Sequence, residues 1–319
     1  MPSYHRPSMR LRTPVVAPST YRQVTFGALL ALAFIVVTGG AVRLTGSGLG
    51  CPDWPTCSDQ RLVAPWEYHA MVEFVNRAIT GLVSVAVMLA VLGSVFRRPR
   101  RRDLVWLSLG LVGGVIGQIV LGGMTVRYHL KPQLVMAHFL LSMVLLANAV
   151  VLHERAGDPE GETGEDGGSR RHARPTTPPV PELAPFGHAI VAMTALVLFL
   201  GTVVTSSGPH GGDPNVERLP FLVPDVARLH GSAVIALLGL TLLTLWRLTR
   251  SPGGRPLMGR AEAFLAVLVV QGGIGYLQYF TGVPPVIVGF HIAGAAATWV
   301  TAVRFQQGFR TAVSEPPRE

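Results

Sequence analysis

Charge is what this 319-residue sequence has least of. Only 14% of its residues are Asp, Glu, Lys or Arg, against about 25% in an ordinary soluble domain. With 49% of the residues apolar and a positive mean hydropathy, that is too little charge to clothe a water-facing surface. A soluble fold is excluded. Cysteine is almost absent too. Cys51 and Cys57 are the two that occur, and no histidine or third cysteine stands close enough to make a metal site of them. The charge that remains is basic, a net +9. It calls for no nucleic-acid partner, because most of it flanks apolar runs.

Those runs are what the chain has in abundance. Eight are long enough to cross a hydrocarbon core of about 30 Å: 23–42, 70–95, 104–124, 133–152, 186–205, 227–248, 261–280 and 285–303. The expected fold is therefore an all-α integral membrane protein with eight transmembrane helices. With the N-terminus inside, 20 of the 27 Lys and Arg residues fall in cytoplasmic segments, including the RRPRRR run at 97–102, and six fall outside. The remaining one, Arg77, lies within a span. This bias places both termini in the cytoplasm. The apolar run after the basic tail 1–22 is a full span without an evident cleavage site, so a retained first helix is expected rather than a signal peptide.

Residues 154–182 break the pattern. Gly, Pro and charge dominate the stretch ERAGDPEGETGEDGGSRRHARPTTPPVPE, which cannot bury a core and reads as a disordered cytoplasmic linker. Extended to the next span, the linker runs 154–185. It divides the chain into an N-terminal four-helix half, 23–153, and a C-terminal half, 186–305, followed by a cytoplasmic tail, 306–319.

The halves resemble each other. At an offset of 153, Gln118 falls on Gln271, Gly122 on Gly275, Pro132 on Pro285, Val135 on Val288 and His138 on His291. At 160, GSGLGCPD (46–53) falls on SSGPHGGD (206–213). Each half has an even number of spans, so the expectation is two parallel-repeat four-helix bundles.

Histidine supplies the chemistry. His230 lies a few residues inside the sixth span and His291 six residues into the eighth, both entering from outside. At about 1.5 Å per residue each imidazole sits roughly 5–10 Å below the outer boundary. Two neutral imidazoles at one depth are what bis-histidine haem ligation requires; interhelical hydrogen bonds or a proton relay are the plainer alternative. In the first half, an offset of 154 puts Asn76 where the second half has His230. Glu73 precedes it by nearly a turn, and Arg77 follows Glu73 at i+4 on the same face. An acid, an amide and a guanidinium in one half-span are costly unless they serve something polar. One half thus reads as holding a permanent cofactor and the other as acting on something. The cysteines, six residues apart in the first outer loop, face the oxidising side, where a disulfide is expected.

The motifs GGAVRLTGSGLGCPDWPTC, EFVNR, GQIVLGG followed by AH, GTVVTSSGPHGGD, RLHG and FHIAG, in this order over all eight spans, resemble the haem A synthase family. The resemblance implies a bacterial cell-membrane oxidoreductase, serving terminal-oxidase assembly, that converts the C8 methyl of haem O to a formyl group by successive hydroxylations. It implies a haem B cofactor in the C-terminal half, ligated by His230 and His291. Substrate haem O would bind in the N-terminal half near His138, Asn76 and Arg77, with Glu73 as the catalytic carboxylate and both sites toward the outer face. Implied partners are the bilayer, the prenyltransferase that forms haem O, an unidentified electron acceptor and a further copy of the chain. Members commonly carry histidine where this chain has Asn76, so His138 is expected to be the only strong protein ligand to the substrate iron. His69, one turn before Glu73, is a weak substitute at the membrane edge. A b-type electron carrier would want two similar haem sites, and a secondary transporter would want helices broken at the midplane. A haem O-forming prenyltransferase would need clustered Asp motifs, which no cytoplasmic loop contains.

Overall fold

The computed structural model describes residues 15–58, 63–158 and 180–310. Among these residues all eight expected spans are helices: α1 (Pro18–Leu44), α2 (Tyr68–Phe96), α3 (Arg102–Arg127), α4 (Pro132–Ala156), α5 (Ala184–Ser207), α6 (Val223–Arg250), α7 (Arg255–Phe280) and α8 (Pro285–Gly308). Each is long and apolar enough to cross a bilayer. Most run a few residues past the apolar stretch, because polar and basic residues continue a helix into the headgroup layer at little cost. Proline opens α1 and α4 through α8 within the first two positions, where its missing N–H has no intrahelical partner to lose.

In the first half α1 packs on α2 and α4, and α3 packs on α2 and α4. In the second, α5 packs on α6 and α8, and α7 on α6 and α8. The turns joining α3 to α4 and α7 to α8 share their geometry. His129 and Leu130 take φ of 51° and 55°, and Gly282 and Val283 take 79° and 60°. In each turn the second of these residues donates its N–H back over five residues at 2.8 Å, Leu130 to Thr125 and Val283 to Gln278. A β-branched residue such as Val283 rarely adopts this backbone. His210 supports it from the loop after α5, its Nε2 donating to the Val283 carbonyl at 2.8 Å.

One core runs through α1 to α4 and includes Leu32, Leu111, Leu146 and, from α8, Trp299; a second joins Ile190, Leu237, Phe264 and Phe305. Apolar side chains such as Phe26, Leu30 and Phe34 on α1 and Leu82 and Leu89 on α2 face outward, as lipid solvation requires. The halves meet along α1, α4, α5 and α8. Between them Trp299 Nε1 donates to the Met143 carbonyl at 2.7 Å, Arg43 Nη2 to the Thr205 carbonyl at 2.9 Å, and the Gly48 N–H to the Gly212 carbonyl at 2.9 Å.

The segment expected to form a linker is outside the described residues from 159 to 179. Its first residues, Glu154 to Ala156, complete α4. Glu154 there pairs with Arg260 at 2.8 Å and Arg304 at 2.9 Å. Near its other end, Pro181–Leu183 form a single 3-10 turn, with Leu183 buried.

Candidate functional site

The second half brings its two intramembrane histidines together. His230 on α6 and His291 on α8 have ring centroids 6.5 Å apart and planes inclined at 73°. Two metal–nitrogen bonds of about 2 Å and two ring half-widths of about 1 Å place the centroids of a pair of axial imidazoles roughly 6 Å apart. The observed spacing therefore fits a single iron between them. The tautomer of His230 fits as well. Its Nδ1 lies 3.1 Å from the Val197 carbonyl of α5. A carbonyl can only accept, so Nδ1 carries the proton and Nε2 keeps the lone pair that a metal takes. Buried His291 Nδ1 meets no protein partner, while the His291 carbonyl accepts from Gln271 Nε2 at 2.8 Å.

Glycines let both rings in. A Cβ on Gly201 would come 3.3 Å from His230 Cε1, and one on Gly275 would come 3.0 Å from His291 Cε1. The first half repeats one of these approaches. A Cβ on Gly122 would lie 3.6 Å from His138 Cε1. Gln118 Nε2 donates to the His138 carbonyl at 3.1 Å, as Gln271 does to His291, and His138 Nδ1 is likewise buried without a protein partner.

Around Glu73 the arrangement differs from a bare substrate pocket. The carboxylate is buried, at 6% exposure, and both oxygens are engaged. Oε2 accepts the Cys51 N–H at 2.8 Å, and Oε1 accepts from Arg77 Nη2 at 2.5 Å. Arg77 Nη1 reaches the carbonyls of Asp53 at 2.9 Å, Pro55 at 3.3 Å and Thr56 at 2.8 Å. Both side chains therefore hold the loop between α1 and α2 that Cys51 and Cys57 close. The two cysteines are disulfide-bonded, as their position and number lead one to expect. In this structure the Arg77 guanidinium is thus directed to the loop backbone. His69 is also occupied, with Nδ1 2.9 Å from Ser47 Oγ. Asn76 Oδ1 is buried and has no hydrogen-bond partner.

Sequence reasoning aligned the two glutamines without giving them a task and passed over Val197, Gly201 and the loop carbonyls. Gln118 and Gln271 were detectable through their common offset. A backbone carbonyl leaves no mark in a sequence.

A family model described as COX15-CtaA, cytochrome oxidase assembly protein, matches residues 22–209, more than half of the chain. The chain belongs to this family. The match to the COX15-CtaA model spans α1 to α5. A protein of Symbiobacterium thermophilum named heme A synthase is 31% identical over 280 residues, 82% of this chain and 88% of the relative. Proteins of the same name from Geobacillus kaustophilus and Exiguobacterium sibiricum are 29% and 30% identical over shorter stretches, 35% and 44% of those relatives.

Proposed function

We infer that this chain is a haem A synthase, a membrane oxidoreductase that oxidises a ring methyl of haem O to a formyl group. Family membership and the likeness to the Symbiobacterium protein over most of both chains support the activity. The observation that carries the cofactor assignment is the His230–His291 pair, 6.5 Å apart, with the His230 tautomer set by the Val197 carbonyl. These two side chains would hold haem B, His230 by Nε2. A haem B there would supply one-electron redox chemistry.

In the first half, we assign His138 as the protein ligand to the substrate iron, with Glu73 at the reacting edge. The Glu73 carboxylate is held by the Cys51 N–H and Arg77, with the Gly50 backbone N–H also beside it, and as a carboxylate it can accept a proton as the methyl is oxidised. Arg77 then acts on position: it fixes the carboxylate and clamps the disulfide loop over it. The matched turns and the matched Gln–His contacts support two parallel repeats, the second half specialised for cofactor and the first for substrate. The distribution of Arg supports cytoplasmic termini and sites near the outer face. An electron carrier would have no need of Glu73 or of the exchange of histidine for Asn76.

Purification followed by pyridine-haemochrome spectra and haem extraction tests the function. Haem B bound to the protein and haem A formed from supplied haem O are expected. A protein that binds haem B yet never yields haem A or a hydroxylated precursor would be a cytochrome instead.

A further inference from the structure

The two histidines of the second half are held in different ways. His230 is fixed through its own ring, by the Nδ1 bond to the Val197 carbonyl. The His291 ring has no such bond, since its Nδ1 is buried without a protein partner and Gln271 holds only its carbonyl. Its orientation therefore rests on where the backbone of α8 puts it and on the fit of the ring against α7. That fit is tight: a Cβ on Gly275 would come 3.0 Å from His291 Cε1. Gly275 lies five residues before the end of α7 and His291 six after the start of α8. The clearance between them is thus set by the turn 281–284 that joins the two helices.

The turn is a demanding one. Val283 takes φ of 60°, which a β-branched residue disfavours, and Pro284 and Pro285 after it have no N–H with which to hold it. The Val283 N–H closes the turn onto the Gln278 carbonyl at 2.8 Å. Its carbonyl is held from outside the helix pair, by Nε2 of half-buried His210 at 2.8 Å. A carbonyl can only accept, so Nε2 carries the proton. The loop that presents His210 is itself tied down. Arg218 Nη2 donates to the Pro209 carbonyl at 2.7 Å, and the Leu219 N–H to the Ser206 carbonyl at 3.0 Å. The first half shares the turn but not the support. At the offset of 160, Gly50 stands where the second half has His210, and a Cβ there would run into the His69 carbonyl. Leu130 lies buried beside Gly48 and Gly212 instead. The polar latch belongs to the half that reads as holding a permanent cofactor.

We propose that His210 is a positioning residue for the cofactor site: by holding the Val283 carbonyl it fixes the α7–α8 turn, and with it the orientation of the His291 imidazole toward the iron. This rests on haem B being bound between His230 and His291. A side chain that touches neither ring then sets the angle between them, 73° in this structure. It also tunes the reduction potential, which responds to how the axial ligands are held.

The test uses the full chain with haem B bound, in lipid nanodiscs. Two readouts are followed: the low-spin EPR g values, which report the relative orientation of the axial rings, and amide hydrogen exchange at Val283 and Val288, whose N–H groups bond across the turn. His210→Ala should shift the g values and speed exchange at both amides by about tenfold, as the loss of one hydrogen bond predicts. His210→Gln, which offers an amide N–H in place of Nε2–H, should restore much of both. Val283→Gly added to His210→Ala should also restore them, because glycine takes the positive φ without a side chain to strain it. If His210→Ala loses its haem, this double variant decides: recovery of haem B supports the latch, and continued loss overturns it. Wild-type g values and exchange in His210→Ala overturn the proposal. So does a shift that neither rescue reverses, since the change then comes from the bulk of the ring and not from its bond to Val283. A wild-type protein that binds no haem B overturns the cofactor reading instead, a result distinct from a holoprotein indifferent to His210.

Discussion

His230 is poised by a single carbonyl. With Nδ1–H committed to Val197, its Nε2 keeps the lone pair, and Gly201 and Gly275 leave room for the two rings. Replacing His230 or His291 with Ala should abolish the low-spin haem B spectrum of the purified protein, whereas His138→Ala should leave it intact and weaken haem O binding instead. An unchanged spectrum in both second-half variants would remove the assignment. Glu73 occupies the other pole. Gln at this position keeps an oxygen for the Cys51 N–H but has no charge for Arg77 and cannot take a proton. Glu73→Gln should retain haem B while haem O or a hydroxylated intermediate accumulates, with haem A yield falling by about 100-fold or more if proton acceptance is its task. Haem extraction reads this directly.

The loop between α1 and α2 is the element on which the proposed first-half site depends. Its disulfide closes a short ring, but the contacts that orient it come from α2: Arg77 spans three loop carbonyls and the Glu73 carboxylate, and Glu73 holds the Cys51 N–H. Removing the guanidinium leaves these carbonyls without their donor. Arg77→Ala should destabilise the loop by about 1–3 kcal/mol, visible as faster amide hydrogen exchange at 51–57, while the second-half haem spectrum is unmoved. Arg77→Lys should restore only part of the protection, because one ammonium cannot reproduce the guanidinium fork. The cysteines also report orientation. An impermeant thiol reagent added outside intact cells should label neither cysteine before reduction and both afterwards; labelling only from the cytoplasmic side would invert the topology.

At the scale of the whole molecule, the halves are joined where α1 meets α8 and α4 meets α5 and α8, by hydrogen bonds near the C-terminal end of α1 and in the core and by the Glu154–Arg260–Arg304 cluster near the opposite end of the helices. Association therefore does not depend on the intervening segment alone. Replacing residues 159–179 with a short flexible connector, while keeping Glu154 and the buried turn at Leu183, should preserve insertion and haem A formation. Normal insertion with lost activity would show that the segment takes part in function. Removing Glu154 by itself should cost little, up to about 1 kcal/mol, because the arginines it pairs with are substantially solvent-exposed.

The eight helices were legible from the chain alone, because the length of an apolar run against the thickness of a bilayer is a local property of contiguous residues. So was the pairing of His230 with His291, since register along a helix sets depth, and the cysteine pair on one loop. What only the tertiary structure decided is where the polar groups turn. Arg77 and Glu73 read as a pocket for substrate, and the fold shows them engaged with carbonyls and an N–H of a loop about twenty residues away. The tautomer of His230 depends on a carbonyl of another helix. Every residue carries a carbonyl and an N–H, so no composition or spacing marks the few that will meet a side chain. Packing selects them, by bringing distant segments within about 3 Å in a medium where an unmet hydrogen bond is expensive.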